Sequence, residues 1–173
     1  TAMAPDDSSE LWIDFFRFDG IVGSIPAGTV AFRAECVGDE PFHETLYGGE
    51  DYHLWVRLFE NYDPAYVAEP LAVMRQHDDS LSSDPVLMYE NRINAIDLLI
   101  DDYPELQRYA EERKQLERYD YGRNLMFNDR LKEARHIFIG LIKERYFRAI
   151  IMAVITFLPT GHEWITRGLD NLR

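Results

Sequence analysis

Residues 47–82 read YGGEDYHLWVRLFENYDPAYVAEPLAVMRQHDDSLS, and the organisation of the chain turns on this stretch. Tyr52, Trp55, Val56 and Phe59 recur at i, i+3, i+4 and i+7, which lays one apolar stripe along a helix of about three turns. Gly48 and Gly49 let the backbone turn sharply and come close to a ligand. Glu50 and Asp51 then fall in the first helical turn, where the helix dipole favours an ionised carboxylate. From Leu71 to His77 the pattern predicts a strand, with Leu71, Val73, Arg75 and His77 on one face. A carboxylate pair at a helix start and an Arg/His pair at a strand end can converge on one pocket.

Each of these residues also has a plainer reading. Glu50 and Asp51 complement the dipole of any helix they open. A single histidine at a strand end is more often a surface group than a ligand. Arg75 serves a salt bridge as readily as a phosphate. Trp55 reads as core and Arg57 as helix surface.

The order Gly-Gly-Glu-Asp-Tyr-x-Leu-Trp-x-Arg-Leu from Gly48, followed by Glu69-Pro-Leu and by Arg75-x-His-x-x-Ser, resembles the second half of family 2 glycosyltransferases. Thr29-Val-Ala-Phe-Arg is similar to that family's acceptor-side strand, and Phe42-His-Glu stands where the family has Phe-Asp-Glu. The likeness covers roughly residues 20–82. It implies an α/β protein: the C-terminal part of a glycosyltransferase A fold, with strands near 29–33 and 71–76, followed by an α-helical extension. The implied reaction is inverting transfer of a sugar from a nucleotide-sugar donor to a hydroxyl of a polysaccharide, glycan or lipid-linked acceptor. In it Asp51 would be the general base, and Glu50 would position the acceptor or support the helix. Gly48, Gly49 and Arg75 would line the acceptor and donor, and His77 would be a ligand of a divalent Mg or Mn ion. His43 replaces the family's aspartate, so no role passes to that position.

No Asp-x-Asp follows a strand anywhere in the chain. The resemblance therefore implies a donor-binding half upstream of Thr1 and little activity in this segment alone. Two readings of other classes stand beside it: a non-catalytic helical protein-interaction module, and a metal-dependent hydrolase built on Asp51 and His77.

The remaining features bound the choice. A formal net charge of -13 excludes generic nucleic-acid binding. The single cysteine, Cys36, excludes an intrachain disulfide and suits a reducing compartment, hence a cytoplasmic setting, at the inner face of the cell membrane if the acceptor is lipid-linked. Through Glu105 there are 22 acidic residues against 5 basic, and from Leu106 onward 9 against 13, so the sign of the charge reverses along the chain.

In the first twenty residues Asp7 and Glu10 resemble a capping box ahead of a row of Leu11, Phe15 and Phe18. Asp84-Pro85 predicts a helix start, with Ile93, Ile96, Leu99 and Ile100 as its stripe and Tyr103-Pro104 as its end. A charged helix from about Glu105, a third over 119–127, a fourth over 131–143 and a last near 146–158 follow. These divide the chain into residues 1–83 and a helical extension over 84–173. The piece from Tyr121 to Phe138 resembles one tetratricopeptide-like helical hairpin, a unit that needs neighbours to bury its faces. Ala149 to Leu158 carries no charge and is too short to span a bilayer. It reads as a buried helix or, with Lys143, Arg145 and Arg148 beside it, as a peripheral contact with anionic lipid.

Overall fold

The computed structural model describes residues 11–17, 25–39, 41–73 and 84–157. Their regular structure is helical: α1 (Leu11–Arg17), α2 (Glu50–Asn61), α3 (Pro85–Asp102), α4 (Ala110–Phe127), α5 (Leu131–Lys143) and α6 (Ala149–Ile155), with short 3-10 turns between. The chain forms two compact units, Thr1–Arg113 and Lys114–Arg173, and the division falls within α4. The first contains 24 acidic and 7 basic residues, a net of -17, and the second 7 and 11, a net of +4.

In the first unit α2 is enclosed by neighbours. Its buried residues include Tyr52, Leu54, Trp55, Val56 and Leu58, a wider band than the four-residue stripe predicts, because α1 and α3 both pack against it. Phe15 and Phe16 of α1 and Ile96 and Leu99 of α3 complete this core. Phe15 meets the Phe59 ring edge-on at 5.0 Å, and the Trp55 indole N–H donates to the Ile25 carbonyl at 3.1 Å. The start of α3 follows from its sequence: the Asp84 carboxylate accepts from the backbone N–H of Val86 and Leu87 at 2.9 and 3.2 Å, and Pro85 takes the first helical position. Tyr103 ends the helix ahead of a 3-10 turn over Pro104–Tyr109.

In the second unit the end of α4, α5 and α6 share a core of Leu125, Met126, Ala134, Phe138 and Leu141 with Ala149 and Ala153. Gly122 makes the α4–α5 approach possible, since a Cβ there would lie 2.8 Å from the Phe138 ring. α4 and α5 both end in Schellman motifs. The residue in the left-handed conformation is Asp129 in one (φ 58°) and Arg145 in the other (φ 69°). Arg130 N–H bonds the Leu125 carbonyl and Tyr146 N–H the Leu141 carbonyl, each at 2.9 Å.

The α/β expectation is overturned. Among the described residues there is no strand and no sheet, so this is not a glycosyltransferase A fold, and the likeness to family 2 glycosyltransferases is local sequence similarity without the family's architecture. The expected strand over 29–33 begins inside a 3-10 turn, Ala27–Thr29, and continues as irregular chain, exposed except at Val30, which packs partly against the core. Leu71 to Val73 is likewise irregular and exposed. Alternation alone does not make a strand; the backbone needs a neighbour to complete its hydrogen bonds, and among the described residues neither segment has one, residues 74–76 lying outside them. Two smaller expectations also change. The charged segment and the 119–127 helix are one continuous α4, since no breaker separates them. The last helix is Ala149–Ile155, and only its small residues are buried. Asp7, Glu10 and Phe18 lie outside the described residues.

Candidate functional site

The Gly-Gly-Glu-Asp turn sits at the start of α2, as its composition predicts. Gly49 is the N-cap with φ 90° and Gly48 has φ 128°, conformations that favour glycine. The close approach they permit is to α3. A Cβ on Gly49 would lie 3.5 Å from that of Ala95, and one on Gly48 would lie 3.4 Å from the Met88 sulfur. Asn91 of α3 holds the turn in place: its Oδ1 accepts from Tyr47 N–H at 3.1 Å while its Nδ2 donates to the Leu87 carbonyl at 2.8 Å.

The two carboxylates behave differently. Asp51 Oδ1 accepts the backbone N–H of Tyr52 at 2.7 Å, satisfying one of the free donors of the first turn. Glu50 is half-buried, and its Oε2 is shielded from solvent without a hydrogen-bond partner among the described residues. Gly48, Gly49, Glu50 and Asp51 are thus brought together at one helix end. Arg75 and His77 lie outside the described residues. Among the described residues no group of three His, Cys, Asp or Glu side chains could hold a metal ion.

One turn into α2 stands a group that the pattern reading missed. His53 is fully buried, and neither ring nitrogen has a hydrogen-bond partner among the described residues. Its Nε2 is 3.8 Å from the Asp102 carboxylate, and the His43 ring stands edge-on with centroids 5.7 Å apart. Burial, with help from the Arg57 guanidinium and against the pull of Asp102, lowers its pKa from 6.5 to about 4. His43 itself is tied to Thr45, Nδ1 to Oγ1 at 3.0 Å.

A second buried polar chain crosses the first unit. Tyr52 donates its hydroxyl to the Phe16 carbonyl at 2.8 Å and accepts from Arg113 Nε at 3.2 Å. The Arg113 guanidinium also lies over the Tyr52 ring, 5.1 Å from its centroid. Nothing in the sequence marks Arg113, one charge in a charged helix, as buried. Its partner is 61 positions away.

A cavity of about 170 Å³ opens beside the later turns of α2, lined by Cys36, Leu54, Arg57, Leu58, Asn61 and Tyr103. Ligand pockets run to roughly 300–1,000 Å³. Burial, with the Glu60 carboxylate beside it, pushes the Tyr103 phenol up to about 12, so it is a protonated donor throughout the neutral range. The cavity and the glycine turn occupy opposite ends of α2 and do not form one site.

Among the described residues no helix is long and apolar enough to cross a membrane. No family model matches the chain, and neither a curated protein nor a solved structure is similar to it. The assignments of Asp51 as base and of a divalent cation at His77 came from the family resemblance, and without the family's fold that resemblance no longer carries them.

Proposed function

We propose that the chain is a helical protein-interaction module whose first unit presents residues 61–73 to a protein partner. The observation that carries this reading is that all thirteen of these residues are exposed, although Tyr62, Tyr66, Val67, Leu71 and Val73 are large and apolar. Val73 is 99% exposed and Tyr66 78%. Large apolar side chains gathered in one exposed segment cost free energy in the isolated chain and return it when a partner covers them. Pro64 and Pro70 keep the segment from becoming helical, and each holds the residue before it, Asp63 or Glu69, in an extended conformation. A partner would therefore meet an extended peptide with side-chain anchors, resting on a rigid helical base.

The test is in-cell photo-crosslinking. A photoreactive residue at Tyr66 or Leu71 is expected to give one discrete protein adduct, and one at Asn94, exposed on α3, none. The combined change Tyr66→Ser, Leu71→Ser and Val73→Ser should weaken association with the crosslinked protein at least tenfold. It should leave the melting temperature unchanged, since these side chains bury little in the fold. No adduct at either position, or the same adducts at Asn94, would end the proposal.

A further inference from the structure

α6 is built inside out for a helix that serves only its own core. The side turned to the second unit carries Ala149, Ala153 and Thr156, and the Thr156 hydroxyl donates back to the Ala153 carbonyl at 2.6 Å. Met152 and Ile155 pack partly against the same core, but the other bulky residues point away from it. Phe147, Ile150, Ile151, Val154 and Phe157, at steps of three, one, three and three along the chain, form one exposed ridge. Ile151 is 68% exposed and Phe147 62%. A helix selected to close a hairpin would bury its isoleucines and show its alanines.

The rim of this ridge has one sign of charge. Lys143, Arg145 and Arg148 are exposed at the turn that leads into α6. At the far end the Arg135 guanidinium stacks on Phe157, 3.8 Å from the ring centroid, and is anchored to the Thr156 carbonyl. Between residues 134 and 157 the only acidic side chain is Glu144, and Arg118 engages both its oxygens at 2.9 and 2.8 Å. Within residues 134–157 no carboxylate is therefore left unpaired beside the ridge.

We propose that α6 docks the chain onto the surface of an anionic lipid bilayer, with the ridge entering the headgroup boundary and the basic rim on the headgroups. Three observations favour lipid over a protein groove. Among the described residues the ridge is made of apolar side chains alone, with no polar group in it that would read a specific partner. Its flanks are cationic at both ends, which matches anionic headgroups. The helix is far too short to span, which leaves it lying in the interface plane. The first unit's net charge of -17 opposes approach to an anionic surface, so the full chain should bind less tightly than the basic second unit's charge alone would give. The ridge shares no residue with the 61–73 segment, so this inference and the protein-docking reading fail separately.

The full chain is tested by flotation with vesicles of phosphatidylcholine alone and of phosphatidylcholine with phosphatidylserine. It should float with the anionic vesicles only. Replacing Lys143, Arg145 and Arg148 with Gln should lower the partition coefficient by about 100-fold, roughly fivefold for each charge. Ile151→Ser with Val154→Ser should abolish flotation without lowering the melting temperature, since both side chains are exposed. Failure to float with either vesicle overturns the proposal, and equal flotation with both overturns the role of the basic rim. A concentration-dependent dimer that Ile151→Ser dissolves, without flotation, would assign the ridge to a second copy of the chain instead.

Discussion

His53 is buried as a neutral base, and that fixes how the first unit responds to acid. Its pKa in the folded chain is about 4, against 6.5 in the unfolded chain. Between these values the unfolded chain takes up a proton that the folded chain refuses, so stability falls as pH drops from about 6.5 towards 4 and is level in this respect above 6.5. The groups facing the ring are Arg57, His43 and Asp102, and only Asp102 resists the shift. His53→Leu removes the titration while filling similar space. Urea midpoints at pH 7 and pH 5 should differ more for the parent chain than for the variant. Equal differences would mean that His53 is protonated inside the fold or exposed. The same residue shows how site-level reading falls short. Tyr52, Trp55 and Val56 were legible because each obeys the helical period on its own. His53 lies outside that stripe, and its burial depends on α3 and the loop around His43, which no local pattern encodes.

At the scale of elements, what was legible is what neighbours in sequence decide. The Asp84-Pro85 start, the Tyr103-Pro104 end and the acidic opening of α2 are set by capping groups and breakers within a turn of the helix end. The expected strands failed because a strand is defined by its neighbour, and among the described residues neither 29–33 nor 71–73 has one. The family likeness failed for the same reason, since it inferred a sheet from segments that depend on one. Helix ends that lack the customary glycine were also hidden. Arg145 holds a left-handed conformation at the end of α5, where an L-residue other than glycine costs about 1–2 kcal/mol. Arg145→Gly relieves that cost and gives back part of it through a more flexible unfolded chain. The expected net gain is about 0.5–1 kcal/mol, read as a higher urea midpoint at unchanged slope. A lower midpoint would mean that the side chain, not the backbone, is what matters at this turn. The same variant should bind anionic vesicles less well, so stability and lipid affinity move in opposite directions at one residue.

Across the whole molecule the charge reversal and the division into units coincide: -17 in the first and +4 in the second. Net charge of that size on a unit of 113 residues opposes its own compaction, because folding brings like charges together that the unfolded chain keeps apart. Attractive pairs do not offset it. In the first unit Arg17 reaches Glu112 only at 3.8 Å, and exposed pairs of this kind contribute about 0–1 kcal/mol. Salt should therefore stabilise the first unit, since with 24 acidic residues against 7 basic it screens more repulsions than attractions. Raising sodium chloride from about 0.01 M to about 0.15 M shortens the screening length from roughly 30 to 8 Å. A gain of about 1 kcal/mol over that range would raise the melting temperature of a unit this size by roughly 4 °C. Two of the three tryptophans, Trp12 and Trp55, lie in the first unit's core, so fluorescence of a Trp164→Phe variant reports that unit alone. The melting curve read this way should shift upward with salt, while flotation on anionic vesicles, which depends on the second unit's cations, should weaken. A first unit whose melting temperature falls with salt would show that its ion pairs outweigh its net charge.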